Sequence, residues 1–161
     1  MIKVEEITEK YKGYEVDEEK LKEFLMPPKS RTVWDLEEGD RYYYFDDYDG
    51  VNFSTWNDID VDITRRYFGN CFLTKEEAEF EAERRKVEAI LLKYGKREVK
   101  YSEVHYYMYC DLSEPSIEIG YYQSCQDQGA IYFDTEELCQ KAIDEAGENN
   151  IKKYIFGIDA E

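Results

Sequence analysis

One histidine, His105, and four cysteines, Cys71, Cys110, Cys125 and Cys139, are the residues of this 161-residue chain best suited to nucleophilic or general-base chemistry. Such chemistry needs a group of matched pKa with a partner in hydrogen-bond reach. His105 sits in Val104-His105-Tyr106-Tyr107, inside an expected strand, and reads as a packed strand residue. No local nucleophile signature accompanies a cysteine. The cysteines show no C-x-x-C spacing, and a single histidine does not complete a Cys₂His₂ zinc site. With no secretory signal in view, structural disulfides are not expected. Asp58-x-Asp60-x-Asp62 matches the first acidic positions of a calcium loop. Ile63 stands where that loop needs glycine, and Gly69 where it needs a bidentate glutamate. No phosphate-cradling glycine run is present. The sequence therefore points to no catalytic residue, no metal and no cofactor: a protein that is not an enzyme.

What remains is carboxylate interleaved with tyrosine. The chain holds 38 Asp+Glu against 21 Lys+Arg, for a net charge of -17, together with 16 Tyr. Residues 35–62 carry -9 and residues 103–148 carry -10, while residues 63–102 carry +3. Bare nucleic acid and anionic membrane surfaces would be repelled. No apolar run reaches the ~20 residues of a membrane span, and the start MIKVEEITEK lacks an apolar signal region, so a soluble, cytoplasmic protein is expected. Asp46, Asp47, Asp49, Asp58, Asp60 and Asp62 crowd around one Tyr-rich segment; Asp111, Glu114, Glu118 and Asp127 crowd around a second. Alternation along a strand can put tyrosines into a core and carboxylates outward. A rigid row of carboxylates resembles phosphates to an Arg/Lys-lined channel, and these ten residues are the expected contact set for a basic partner. The Lys and Arg residues around 84–100 are expected to be an ion-paired helix face.

Rings also decide whether the chain folds. Leu, Ile, Val and Phe total 36 residues, near the ~20% level that signals disorder. Aromatic side chains bury ~150–250 Å² each, so Tyr and Trp can supply the missing core.

The elements that must position the carboxylates can be read from local signals. Asp17 to Met26 reads as a helix stopped by Pro27-Pro28. Aromatic runs at 41–45 and 51–56 flank Asp49-Gly50, a hairpin signal of the type I′ kind. Asn57–Arg66 reads as a loop or short turn, and Asn70–Leu73 as a brief strand. Thr74-Lys-Glu-Glu77 has capping-box spacing and opens a helix that runs to about Tyr94 and stops at Gly95. Val87, Ile90, Leu91 and Tyr94 mark its buried stripe, with Ala78 and Ala82 allowing close approach. The order then recurs: strands at 99–110, 117–122 and 130–133, a helix capped by Thr135 that ends at Gly147, and a short closing element at 151–156. The expected fold is α+β: an N-terminal helical segment (1–31), then two degenerate β-β-β-α units with antiparallel Tyr-rich sheets at 32–96 and 97–161.

Trp34-Asp-Leu-Glu-Glu-Gly39-Asp40, Ser54-Thr-Trp56, Phe68-Gly69-Asn70-Cys-Phe72-Leu-Thr74 and Ile151-Lys-Lys-Tyr-Ile-Phe-Gly157 carry a resemblance over roughly residues 32–158. In these runs the chain resembles small acidic proteins encoded by phages and prophages of Gram-positive bacteria. The motifs are mostly structural punctuation and transfer no catalytic residue. What the resemblance implies is context: an anti-CRISPR or other anti-defence inhibitor in the host bacterial cytoplasm. It would occupy the nucleic-acid site of a basic host protein, a CRISPR effector nuclease being the leading partner. The alternative is a general phage interaction or regulatory module without nucleic-acid mimicry.

Overall fold

A computed structural model describes residues 10, 12–13, 30–46, 50–100, 102–113, 115–123 and 126–158. The chain divides into two compact units, Met1–Arg31 and Thr32–Glu161. The helix expected over 17–26 lies outside the described residues, as do Asp47, Asp49 and Glu114. The segments expected as two β-β-β-α units, 32–96 and 97–161, together make up the second compact unit. Its elements are strands β1 (Arg41–Asp46) and β2 (Gly50–Thr55), helices α1 (Asp60–Tyr67) and α2 (Lys75–Tyr94), strands β3 (His105–Asp111) and β4 (Ser116–Tyr122), and helices α3 (Glu136–Ala146) and α4 (Glu148–Tyr154). The class is α+β, with two small antiparallel sheets of two strands each.

Local chemistry places most of these boundaries. The Thr74 hydroxyl accepts from the Glu77 N–H at 3.2 Å, and the Glu77 carboxylate accepts from the Thr74 N–H at 3.2 Å and the Leu73 N–H at 3.0 Å. Amides at the start of α2 that lack helical partners are thus satisfied. Thr135 opens α3 the same way, accepting from the Leu138 N–H at 3.3 Å. Residue 138 is leucine, so no side chain reaches back to complete a box. Gly147, at φ +83°, ends α3. This left-handed backbone costs glycine little.

The first hairpin pairs Arg41↔Thr55 through Asp46↔Gly50. That register leaves residues 47–49 as a three-residue connection and makes Gly50 (φ +78°) the first residue of β2. The expected two-residue turn is thereby corrected, since the glycine's positive φ is used at the strand entry. β3 is also shorter than the strand expected from 99, beginning at His105.

The expected third strands shrink to isolated bridges, one at Phe72 and two at Tyr132 and Phe133, of which Tyr132 pairs with Lys96. Phe72 and Tyr43 exchange both backbone hydrogen bonds (2.8 and 2.9 Å), and so do Phe133 and Tyr106 (2.8 and 2.9 Å). Both phenylalanines stand two residues before a capping threonine. The chain turns into helix before a longer ladder can form. Asn57–Arg66, expected as a loop, instead contains most of α1.

Two apolar clusters result. Leu36, Tyr42, Trp56 and Cys71 form one, with Tyr44, Ile63 and Leu73 packed against it. Val87, Leu91, Phe133, Cys139, Ala142, Ile143, Ala146 and Ile151 form the larger one, which Met108, Ile117 and Ile119 cover from the second hairpin. Helix α2 touches β1 and β2 as well as α3 and α4. Its outward positions carry an ion-paired belt. Arg84 binds Glu81 at 2.6 Å and Glu88 at 3.4 Å, Arg85 binds Glu81 at 2.9 Å, and Lys86 binds Glu83 at 2.6 Å. Arg97 pairs with Glu88, Lys96 with Asp134 and Lys93 with Glu145. The cationic stretch is thus an ion-paired face.

The end of α2 is a close contact. A Cβ on Gly95 would lie 2.6 Å from Ile131 Cγ2, 2.9 Å from Phe133 Cε1 and 2.9 Å from the Tyr132 carbonyl. Its φ of -119° suits any residue, so the need for glycine here is steric. Gly95→Ala is expected to cost about 1–3 kcal/mol by overpacking, seen as a lower urea midpoint at unchanged slope.

Candidate interaction surface

Strand parity and helix turns sort the expected contact residues into different environments. Asp62 is only 1% exposed. It is the third residue of α1, whose N-cap, Ile59, offers no side-chain hydrogen bond. The Asp62 carboxylate accepts from the Asn57 N–H at 2.9 Å, tying the entry of the helix. Its other oxygen accepts from the Tyr42 hydroxyl at 2.7 Å, and that hydroxyl accepts from Arg65 at 2.8 Å. Arg65 also lies 3.4 Å over the Tyr44 ring. Burial pushes the Tyr42 phenol up, with the Asp62 bond adding to it. Asp62 is therefore a core acceptor and not the expected contact residue: its carboxyl group stays buried because hydrogen bonds satisfy it.

Asp46, Asp58 and Asp60 are exposed. They do not form one crowd. Asp46 pairs with Gly50 at the connecting end of the hairpin, where it accepts from Asn52 at 2.7 Å. Asp58 follows β2 from the opposite end, roughly 17 Å away at ~3.4 Å per residue. Asp58 has φ +54°, and Asp60 begins α1.

The second hairpin does gather its residues. The register sets Tyr107 against Gly120, Tyr109 against Glu118 and Asp111 against Ser116. Parity puts Tyr107, Tyr109, Asp111 and Glu118 on one face, together with Tyr122. Met108, Ile117 and Ile119 fall on the other face and meet the core. Carboxylates and rings therefore share the outward side. Tyr107 stacks flat on Tyr122 with centroids 4.4 Å apart, and Tyr109 tilts beside it at 6.0 Å. Gly120 leaves room for that row, since a Cβ there would lie 2.9 Å from the Tyr107 ring. Asp111 accepts from the Ser113 N–H and hydroxyl at 2.9 and 2.7 Å, and Glu118 accepts from the Ser116 hydroxyl at 3.0 Å. Short polar neighbours help hold these carboxylates in place.

A cleft of about 410 Å³ opens beside this face. Tyr107, Met108 and Tyr109 line one wall, Asp127, Gly129 and Ile131 another, and Arg84, Glu88 and Leu91 of α2 the rest, with Ile155 and Phe156 near the chain's end. The Asp127 N–H donates to the buried Tyr132 hydroxyl. Gln126 donates to the Arg97 carbonyl at 3.2 Å, and Arg97 to the Gly129 carbonyl at 3.1 Å. These bonds hold the loop that carries Asp127.

Of the residues suited to turnover, His105, Cys71 and Cys139 are buried, Cys110 is partly exposed, and Cys125 lies outside the described residues. His105 is 2% exposed, with Nε2 3.0 Å from the Lys100 carbonyl oxygen and Nδ1 unpartnered. Burial pushes the Cys71 thiol up to about 11 and the Cys139 thiol up to about 12, away from the thiolate that nucleophilic attack requires. Among the described residues no three His, Cys, Asp or Glu side chains converge to hold a metal ion. No helix among them is long and apolar enough to cross a membrane.

Sequence reasoning missed Tyr107, Tyr109 and the α2 residues of the cleft. Parity alone aligns residues 107, 109 and 111. The match to Glu118 depends on hairpin register, and the α2 wall comes from more than 15 residues earlier.

Two outcomes check this assignment. Asp62→Ala should lose about 2–3 kcal/mol by stranding the Tyr42 hydroxyl and the Asn57 N–H, whereas Asp58→Asn and Asp60→Asn should each stay within ~0.5 kcal/mol in chemical denaturation. In native protein at pH 8, iodoacetamide should label Cys110 well before Cys71 and Cys139, with all three labelling readily in urea, as mapped by peptide mass spectrometry.

No family model, curated protein or solved structure matches the chain.

Proposed function

We propose that this protein acts by binding, without turnover, and that its partner presents a basic surface. The observation that carries this reading is the outward face of the second hairpin. There Asp111 and Glu118 stand among stacked tyrosines, while the cations of α2 are engaged by acids of their own. Fixed carboxylates speed encounter with a cationic patch and select for it. Tyrosine adds rigid contact area at low entropic cost.

The specific form is a phage-derived inhibitor of a host defence nuclease, of the anti-CRISPR type, working in the bacterial cytoplasm. The acidic face would occupy the channel that otherwise takes nucleic acid, and inhibition would be stoichiometric. The resemblance to small acidic phage proteins supplies the context, and the carboxylate–tyrosine face supplies a physical means.

A second reading rests on a separate observation. Tyr67 and Phe68, at the end of α1, are 72% and 77% exposed, and Trp34 meets Tyr67 edge-on at 5.6 Å. A general interaction module would use these rings against an uncharged partner.

Salt separates the two. Inhibition of DNA cleavage by purified CRISPR effector nucleases should weaken roughly tenfold between about 50 and 300 mM salt if exposed charges carry binding. It should weaken comparably in an Asp111→Asn/Glu118→Gln variant. A flat salt response, with the acidic variant still fully inhibitory and Phe68→Ala impaired, would select the second reading.

A further inference from the structure

We propose that the cleft beside Tyr109 is a recognition pocket for an arginine side chain of a partner protein. This deepens the reading of a basic partner and rests on it.

The cleft is composite in its chemistry. Its inner wall is apolar, built from Leu91, Met108 and Ile131, and about 410 Å³ exceeds what one arginine side chain fills. An arginine stem is itself apolar and packs on such a wall while its head stays near water. The head would meet Tyr107 and Tyr109, whose rings suit a planar cation. Asp127 on the rim supplies the counter-charge.

The other charges in the cleft narrow the choice. Arg84 is held by Glu81 at 2.6 Å, and Glu88 by Arg84 and Arg97. An anion would find Arg84 already occupied, and a second carboxylate would be repelled by Asp127. A purely apolar ligand would desolvate Asp127 and leave it uncompensated. A cation on an apolar stem satisfies both walls. Asp127 also acts on the tyrosine wall: Tyr107 is pushed up to about 12, first by its hydrogen bond with Tyr122 and by burial, with the charge of Asp127 contributing. Hydrogen bonds to Tyr132, Arg97 and Gly129 tie the segment 126–129 in place, which lowers the entropic cost of binding there.

The test is an amide-resolved NMR titration of the full chain with the capped tripeptide acetyl-Gly-Arg-Gly-amide. Saturable shifts should concentrate at Tyr109, Asp127 and Ile131. The norleucine counterpart should bind about fivefold more weakly or worse, and Asp127→Asn should weaken the arginine peptide by a similar factor. That substitution keeps the backbone N–H bonded to Tyr132, so a well-dispersed spectrum is expected. An Asp46→Asn/Asp58→Asn/Asp60→Asn variant should bind the peptide as the parent does. Equal affinity for the norleucine peptide, full affinity in Asp127→Asn, or shifts spread over all acidic residues would overturn the assignment. If the arginine peptide fails while nuclease inhibition remains salt-sensitive, the pocket falls and the acidic face stands. If the peptide seats in the cleft while inhibition is flat in salt, the broader reading falls instead.

Discussion

A two-stranded hairpin buries too little surface to stand alone in water, and both sheets of this protein are two-stranded. Each must lay its more apolar face on the rest of the unit. Helix α2 answers that constraint for the whole unit: it backs β1 and β2 directly, and it packs on α3 and α4, which in turn back β3 and β4. Its inner positions Ala78, Val87 and Leu91 are buried, small at the start and larger toward the end. The close contact at Gly95 then lets the chain leave the helix and pair Lys96 with Tyr132. Had a bulkier residue stood there, the segment that carries Phe133 to β3 would be displaced, and with it one wall of the cleft.

The ion pairs along α2 have a second consequence. Exposed pairs of this kind contribute about 0–1 kcal/mol each, so their value to the fold is modest. Their effect on the surface is larger. They engage much of the positive charge of the central segment, which leaves the hairpin carboxylates to shape the surface potential. The two acidic segments are not equivalent in this respect. In the first, one aspartate has gone inside to bind Tyr42 and the remaining described ones stand at opposite ends of the hairpin. In the second, carboxylates and tyrosines share one face because register aligns them.

Much of the fold was legible because the signals are local. Capping at Thr74 and Thr135, the stops at Gly95 and Gly147, the period-3.6 stripe on α2 and the hairpin at Asp49-Gly50 depend on residues within about four positions of one another. Helix α1 escaped because its entry lacks a capping side chain. The residue that stabilises it, Asp62, is held by Tyr42, twenty residues earlier. The third strands were over-read for a related reason. Phe72 and Phe133 do pair as strands, yet each cap follows two residues later and ends the ladder.

The sequence by itself determined the class of the fold, the capped starts and glycine stops of α2 and α3, and the placement of acid in two segments. These follow from residue type and short spacing, where each interaction closes within one turn of helix or one strand pair. Tertiary structure alone decided which carboxylates face water, that tyrosines and acids share a side of the second hairpin, and that a cleft lies between β3, α2 and the loop carrying Asp127. Those features join residues from nine positions apart (Tyr109 and Glu118) to more than forty (Arg84 and Asp127). Their geometry is set by hairpin register and by packing on a common helix, neither of which any local run of residues encodes.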